Sequence, residues 1–222
     1  MNLTKMDMLP LVMIGAGGHA KVLHALALAA GHSILGVCDP QLVQQGQTHW
    51  RGIPVLGEDD ALKQFDPVAI GLINGIGQLV GSQVRQDVFA RLRQAGFSFP
   101  VLLHPAAWVA STSRLAQGVQ VMAGAIVQPD CCIGENTIIN TSASVDHDCD
   151  IGANVHVAPG VTICGEVRVH DDAFVGSGAT LIQGLIVGTR AIVGAGVTLT
   201  RNLDCDQILL GPASRLKAKA TS

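Results

Sequence analysis

The sequence contains no tyrosine, and aromatic residues make up only 3% of it. A core built on stacked rings is excluded, and the interior has to be filled by small aliphatic side chains. Charge is scarce as well: Asp, Glu, Lys and Arg reach 14%, against about 25% in an average globular protein. With 48% hydrophobic residues, this excludes a chain kept disordered by polarity and charge. No excess of one sign exists. The formal net charge is −3 and the pI near 6.2, and the small basic group at the tail (Arg215, Lys217, Lys219) tracks no phosphate backbone, so nucleic-acid binding is excluded.

The mean hydropathy of +0.40 raises the question of a membrane span, but no stretch supplies about 20 predominantly apolar residues. The longest uncharged stretch, Gln94 to Ser113, contains Pro100, His104, Pro105 and four hydroxyl residues. The apolar residues that follow Met8 run directly into a glycine motif and read as a first strand rather than a signal peptide. The six cysteines (38, 131, 132, 149, 164 and 205) form no CxxC pair. Free thiols in a reducing cytoplasm are expected.

What is present is a period. An aliphatic residue recurs at every sixth position over Val109, Leu115, Val121, Val127, Ile133, Ile139, Val145, Ile151, Val157, Ile163, Val169, Val175, Leu181, Val187, Val193 and Leu199. The position four residues after each is mostly small or apolar, as at Ala125, Cys131, Ala143, Cys149, Ala173 and Ala179. Six is neither the helical period nor strand alternation. Two inward positions in six, separated by polar or glycine positions, describe short strands joined by sharp corners. Three such sides close a triangular prism, whose coils of 18 residues stack as parallel strands about 4.8 Å apart. About five coils are expected, with Cys131 and Cys149 in the core. This pattern resembles the hexapeptide-repeat, left-handed parallel β-helix over residues 109–200; the handedness comes from the resemblance.

The first half reads differently. Residues 11–14 (LVMI) form an apolar run, followed by Gly15-Ala-Gly-Gly-His-Ala20 and a helical stretch to Ala30, with Gly31 as its stop. Further strands are expected at Ser33–Cys38, Val68–Ile73 and Phe97–Leu103. A helix is expected over 82–95, with Val84, Val88, Phe89 and Leu92 on its core face. Alternating β and α elements predict a small parallel sheet in a Rossmann-like domain. The chain therefore reads as an α/β N-terminal domain over 1–105 and a β-helix over 106–222, linked through Pro100 to Pro105. A GxGxxA loop between strand and helix places free backbone N–H groups where they suit a diphosphate. Asp39, at the end of the second strand, stands where a ribose or base contact is expected. Glycine used only for tight strand–helix packing and a nicotinamide dinucleotide are the alternatives.

A smooth prism has no pocket of its own, so polar residues that interrupt it are informative. The densest run is Asn140 to Cys149 (NTSASVDHDC). His147 lies two positions after inward Val145, next to Asp148, and an imidazole with a carboxylate partner is suited to general-base work. His156 follows inward Val155 and faces outward; it and His147 are read as able to line one groove. His170 reads as a surface residue. The spacings 147, 156 and 170 do not match a three-histidine zinc site, and no metal is expected.

The GAGGHA loop, Asn140-Thr-Ser and Asp146-His-Asp within hexads, and Gly211-Pro-Ala-Ser-Arg-Leu at the end together resemble the nucleotide-sugar acetyltransferases of bacterial glycan synthesis. These include the N-acetyltransferases of UDP-4-amino-4,6-dideoxy sugars on the bacillosamine route, GDP-perosamine N-acetyltransferases and sialic acid O-acetyltransferases. The resemblance implies acetyl-CoA as co-substrate, a nucleotide-sugar substrate, and a homotrimer with sites between subunits. It implies that Gly17, Gly18 and His19 contact the nucleotide sugar, with Asp39 holding the nucleotide and Gly71 matching the glycine after the third strand. It further implies His147 as base with Asp148 raising its basicity, His156 at the acetyl thioester, and Gly165 and Ser177 along the coenzyme groove. Asp39-Pro40 replaces the paired acids of some relatives, and Gly71 to Gly77 is longer and richer in glycine than a plain Ile-Gly-Asn. Acetylation of a sugar hydroxyl, and a non-catalytic nucleotide-binding scaffold, are the competing readings. An ice-binding prism needs long threonine rows; Thr162, Thr180 and Thr198 give three rungs only.

Overall fold

The computed structural model describes residues 9–212; the basic tail residues Arg215, Lys217 and Lys219 lie outside them. The first strand, β1 (Leu11–Ile14), is buried throughout and leads through the glycine loop into α1 (Gly18–Ala29). There follow β2 (Ile34–Cys38), the short α2 (Pro40–Gln44), β3 (His49–Trp50), β4 (Ile53–Gly57), β5 (Gly71–Asn74) and α3 (Val84–Gln94). The sheet order is β3-β4-β2-β1-β5, parallel except for the β3–β4 hairpin. That hairpin turns on Arg51 and Gly52, both at positive φ, and it was not expected because Arg rarely takes that conformation.

Two expected strands are shorter or differently placed. The run Val68–Ile73 begins as a turn closed by Ala69 N–H donating to the Asp66 carbonyl at 2.9 Å, so the strand starts at Gly71 and extends to Asn74. Phe97–Leu103 is not one strand. Ser98 bridges Gly71, Pro100 offers no N–H to continue the ladder, and Leu102–Leu103 pairs with Gln120–Val121 as the first strand of the prism. On α3, Val84 is exposed, and Arg85, at 1% exposure, lies on the buried face with Phe89 and Leu92.

The prism consists of eighteen two-residue strands, from β6 (Leu102–Leu103) to β23 (Ile208–Leu209), in three parallel sheets of seven, six and five strands. The register is 18 residues from Leu102 to Leu199, with Ile126, Ser144, Thr162, Thr180 and Thr198 in one file, and shortens to 16 on the last rung, where Ile192 pairs with Ile208. About six coils result rather than five, because the pairing runs beyond the regular hexads at both ends. Every corner from Gly118 to Gly196 places one residue in the left-handed region, at six-residue intervals, with φ between 56° and 73°. Gly, Asn and Asp fill most of these sites, as their chemistry favours, while Ser142, Glu166 and Arg190 do so without that advantage. The interior is aliphatic, and Cys131 and Cys149 are buried within it. All six cysteines are free thiols.

The two halves share a core. Leu23 and Leu26 of α1 belong to one apolar cluster with Leu102, Met122 and Ile138 on an outer face of the prism, so α1 is packed between its own sheet and the β-helix. No helix among the described residues is long and apolar enough to cross a membrane.

Where glycine follows the inward aliphatic, the coils leave no room for a side chain. A Cβ on Gly134 would lie 2.5 Å from Ala153 N of the next coil. Gly134→Ala is therefore expected to lower stability by about 1–3 kcal/mol, the range for overpacking a tight site, measured as a drop in the denaturant midpoint.

Candidate active site

The glycine loop follows the carboxyl end of β1. Gly15, at φ +86°, sits against Ile76, where a Cβ would meet Cγ1 at 3.0 Å. Gly17 and Gly18 have nothing within 4 Å of a Cβ position, so packing does not explain them. Gly17 occupies the N-cap of α1 without a side-chain cap, and the first turn presents open N–H groups suited to an anion. Asp39 accepts from Ala16 N–H at 2.8 Å on Oδ2 and from Leu42 N–H at 2.9 Å on Oδ1. Its carboxylate thus ties the loop to the start of α2 with both oxygens engaged.

Gly71 does not join this group. It starts β5, opposite Leu11, at the amino end of the sheet, whereas the loop lies at the carboxyl end. It is tight for another reason: a Cβ would touch Leu11 and Pro100. Gly75 is the glycine beside the loop, with Ile14 O and Gly15 O each 2.9 Å from its Cβ position. Gly71, expected after the third strand, instead begins it, because pairing with β1 sets the register at Leu11.

His19 reaches from the loop to the prism, where its Nε2 meets Gln120 Oε1 at 2.8 Å. Burial, and then the positive charge of Arg85, push its pKa down to about 4. His156, on the same prism face, is 8% exposed and lies flat against Phe174, with ring centroids 4.8 Å apart and planes 5° apart. Burial and Arg85 push it down to about 4 as well, and its Nδ1 is buried without a partner. Both imidazoles are therefore neutral at pH 7. His156 points away from the prism core as expected, yet it is covered.

The sequence reading missed the polar groups that hold this arrangement. Arg85 donates through Nη1 to the carbonyls of Asn74 (2.9 Å) and Ile76 (2.6 Å) and through Nη2 to that of Asn136 (3.2 Å). Asn74 Nδ2 donates to the Arg85 carbonyl and to Asn136 Oδ1. The available signal was spacing: positions 85, 89 and 92 share a helix face, and a charge on an apolar stripe calls for partners.

His147 stands elsewhere. It occupies the corner after Ser144–Val145, whereas His156 lies in the sheet that α1 covers. Within one chain the two histidines do not line a single groove, because successive strands of a coil belong to different faces. His147 is exposed. Its Nδ1 lies 2.8 Å from Asp148 Oδ2, and this hydrogen bond, with the charges of Asp146, Asp148 and Glu166, raises its pKa. Asp148 can only accept, so Nδ1 carries the proton and Nε2 is free to act as base. Gly165, one coil on, forms the floor: a Cβ there would be 2.7 Å from Cε1 and 2.8 Å from Nε2 of His147. Ser177 is exposed on a different corner, after Phe174–Val175. Among the described residues no group of three or more His, Cys, Asp or Glu is placed to hold a metal ion.

Residues 10–92 match the PglD N-terminal domain, and residues 166–201 match the hexapeptide repeat of succinyl-transferase. A comparison with curated proteins finds no match. Among solved structures, the perosamine N-acetyltransferase PerB from Caulobacter crescentus, in complex with CoA and GDP-perosamine, is 36% identical, over 94% of this chain and 97% of that one, with a TM-score of 0.83. The acetyltransferase domain of PglB from Neisseria gonorrhoeae, in complex with acetyl coenzyme A, is 32% identical over 95% of this chain and all of that one, with a TM-score of 0.85. WeeI from Acinetobacter baumannii, at 23% identity and a TM-score of 0.80, shares the fold. A PglD-type α/β domain packed on a left-handed β-helix, matched over nearly its whole length at this identity, places the chain in the hexapeptide-repeat family of bacterial nucleotide-sugar acetyltransferases.

Proposed function

We propose that the protein transfers the acetyl group of acetyl-CoA to the amino group of a nucleotide-linked amino sugar. The observation that carries this reading is the His147–Asp148 pair, a base with a bare Nε2 on the outside of a prism that has no other exposed histidine–carboxylate pair among the described residues. The GDP-perosamine complex of the PerB relative supports a nucleotide sugar as acceptor, and the acetyl coenzyme A complex of the PglB domain supports the donor.

The sugar amine attacks the thioester carbonyl directly. His147 Nε2 takes the proton that nitrogen sheds, and Asp148 stabilises the resulting imidazolium. A C–N bond forms, the C–S bond breaks, and the proton passes to the departing CoA thiolate. No Ser or Cys relay is needed, because the thioester is already activated. The backbone at Gly165, against which the ring lies, is the proposed donor to the tetrahedral oxyanion. The first turn of α1, with Gly17 and Gly18, takes the diphosphate, His19 contacts the nucleotide sugar, and His156 meets the acetyl end of the donor. Since His147 and the His19–His156 pair stand on different faces, a complete site requires a neighbouring copy, and a homotrimer satisfies this through closed symmetry. Six unpaired thiols support a reducing cytoplasmic setting.

Incubation with acetyl-CoA and a panel of UDP-, GDP- and TDP-linked amino sugars is expected to give a product heavier by one acetyl group, read by mass spectrometry. His147→Ala should lower kcat by roughly 10²–10⁴; acetylation at the normal rate would remove His147 from the mechanism.

The pKa of His147 lies above its ordinary value, so the base form appears as pH rises through that raised value. The acid limb of kcat/KM is therefore expected above pH 6.5. In Asp148→Asn the carboxylate that raises it is lost; the limb should move to lower pH and the plateau should fall. A limb that stays in place would assign the titration to another group.

A further inference from the structure

We propose that Gln120 is a positioning residue for this reaction, locking His19 in the tautomer that presents a bare Nδ1 to a hydroxyl or amino hydrogen of the nucleotide sugar. The inference rests on the reading of His19 as a substrate contact and adds the device that sets its polarity.

The assignment follows from donors and acceptors. Gln120 Nε2 lies 2.9 Å from the Asn74 carbonyl. A carbonyl only accepts, so the amide nitrogen faces Asn74 and Oε1 is left facing His19. Oε1 also only accepts, so His19 Nε2, at 2.8 Å, carries the ring proton. The Asn74 carbonyl is itself held by Arg85 Nη1, and Gln120 is 2% exposed, so a turned-over amide would set its oxygen against that carbonyl with little water to relieve the repulsion. The charged and titratable groups facing His19 are Arg85 from α3 and His156 from the prism. Neither offers a negative partner to a protonated ring, and burial keeps the imidazole neutral.

Nδ1 is then a lone pair, with no hydrogen-bond partner among the described residues. It is bonded to Cγ and so lies toward the backbone side of the ring, and the preceding Gly17 and Gly18 leave open space at their Cβ positions, with no atom within 4 Å. A lone pair repels phosphate oxygens. The diphosphate is left to the N–H groups of the helix start, and Nδ1 selects a group that carries a hydrogen.

Histidine ¹⁵N NMR of the free enzyme reads the tautomer directly. The resonance pattern expected for His19 is that of a neutral ring protonated at Nε2, unchanged from pH 8.5 to pH 5.5. Gln120→Glu places a carboxylate on Nε2 and should bring His19 into titration at higher pH. Its KM for the nucleotide sugar, relative to the unaltered enzyme, is expected to rise about tenfold at pH 6, the size of one lost hydrogen bond, and less at pH 8.5. KM for acetyl-CoA should stay within about twofold. Gln120→Met, free of the added charge, should give mixed tautomers and a pH-independent rise. A wild-type His19 protonated at Nδ1 or titrating near its ordinary value, or a nucleotide-sugar KM in either variant that is unchanged or lower, would overturn the proposal. The NMR readout needs no substrate. If the unaltered enzyme acetylates no amino-sugar nucleotide, the reading of the reaction fails; if it does and a contrary result appears, only the role of Gln120 fails.

Discussion

A single buried guanidinium joins the two halves of this molecule. Arg85 leaves α3 on its apolar face, has no carboxylate partner among the described residues, and donates to three carbonyls, those of Asn74 at the end of β5, Ile76 in the loop that follows and Asn136 at a prism corner. Burial pulls its pKa down to about 9, which still leaves it charged at pH 7. A buried cation is costly unless its donors are met in good geometry, so the carbonyls of the loop and the corner have to stay where they are. Asn74 is thereby fixed, Gln120 is fixed on Asn74, and His19 is fixed on Gln120. The α/β domain does not merely rest on the prism; it is hydrogen-bonded to it through Gln120 and Asn136.

The same charge has a second effect. His19 and His156 both lie within its field, and both are held neutral by burial and by Arg85. His147, in contrast, is exposed among carboxylates and is driven toward protonation. Three imidazoles of one chain are thus tuned in opposite directions by where the fold puts them, which fits the roles proposed for them, two as binding groups and one as the acid–base group. The rigid prism makes the division possible. Its corners turn at fixed intervals, so a residue moved by six positions changes face and one moved by 18 positions keeps it. Gly165 uses that rule: it sits one coil beyond His147 and leaves room for the ring where any Cβ would not.

The prism was legible because each coil repeats the same demand. An aliphatic residue must fill the axis at every sixth position, and no long-range knowledge is needed to see it. Even so, corners such as Glu166 and Arg190 adopt the left-handed conformation without glycine or asparagine, because neighbouring coils impose it. The histidine–carboxylate pair was legible because the two residues are adjacent in sequence. What escaped was everything decided across the domain contact. His156 is outward by pattern and buried in fact, since the Phe174 ring and the α/β domain cover it. Gln120 and Arg85 carry no local signature beyond a polar group at an apolar position. Gly71 matched a motif, but strand pairing placed Gly75 at the loop instead.

The proposed division of the site between two faces of the prism makes one measurement decisive. His147→Ala chains and His19→Ala chains, the latter weakened about tenfold at nucleotide-sugar concentrations below KM by one lost hydrogen bond, are to be co-expressed and the mixed oligomers assayed for acetyl transfer at such concentrations. If each site takes His147 from one protomer and His19 from its neighbour, random trimers contain some sites with both histidines intact, and activity should return to roughly a quarter of normal. Mixed oligomers no more active than the mean of the two parents would mean that every site is built within one chain, and would contradict a site shared between protomers.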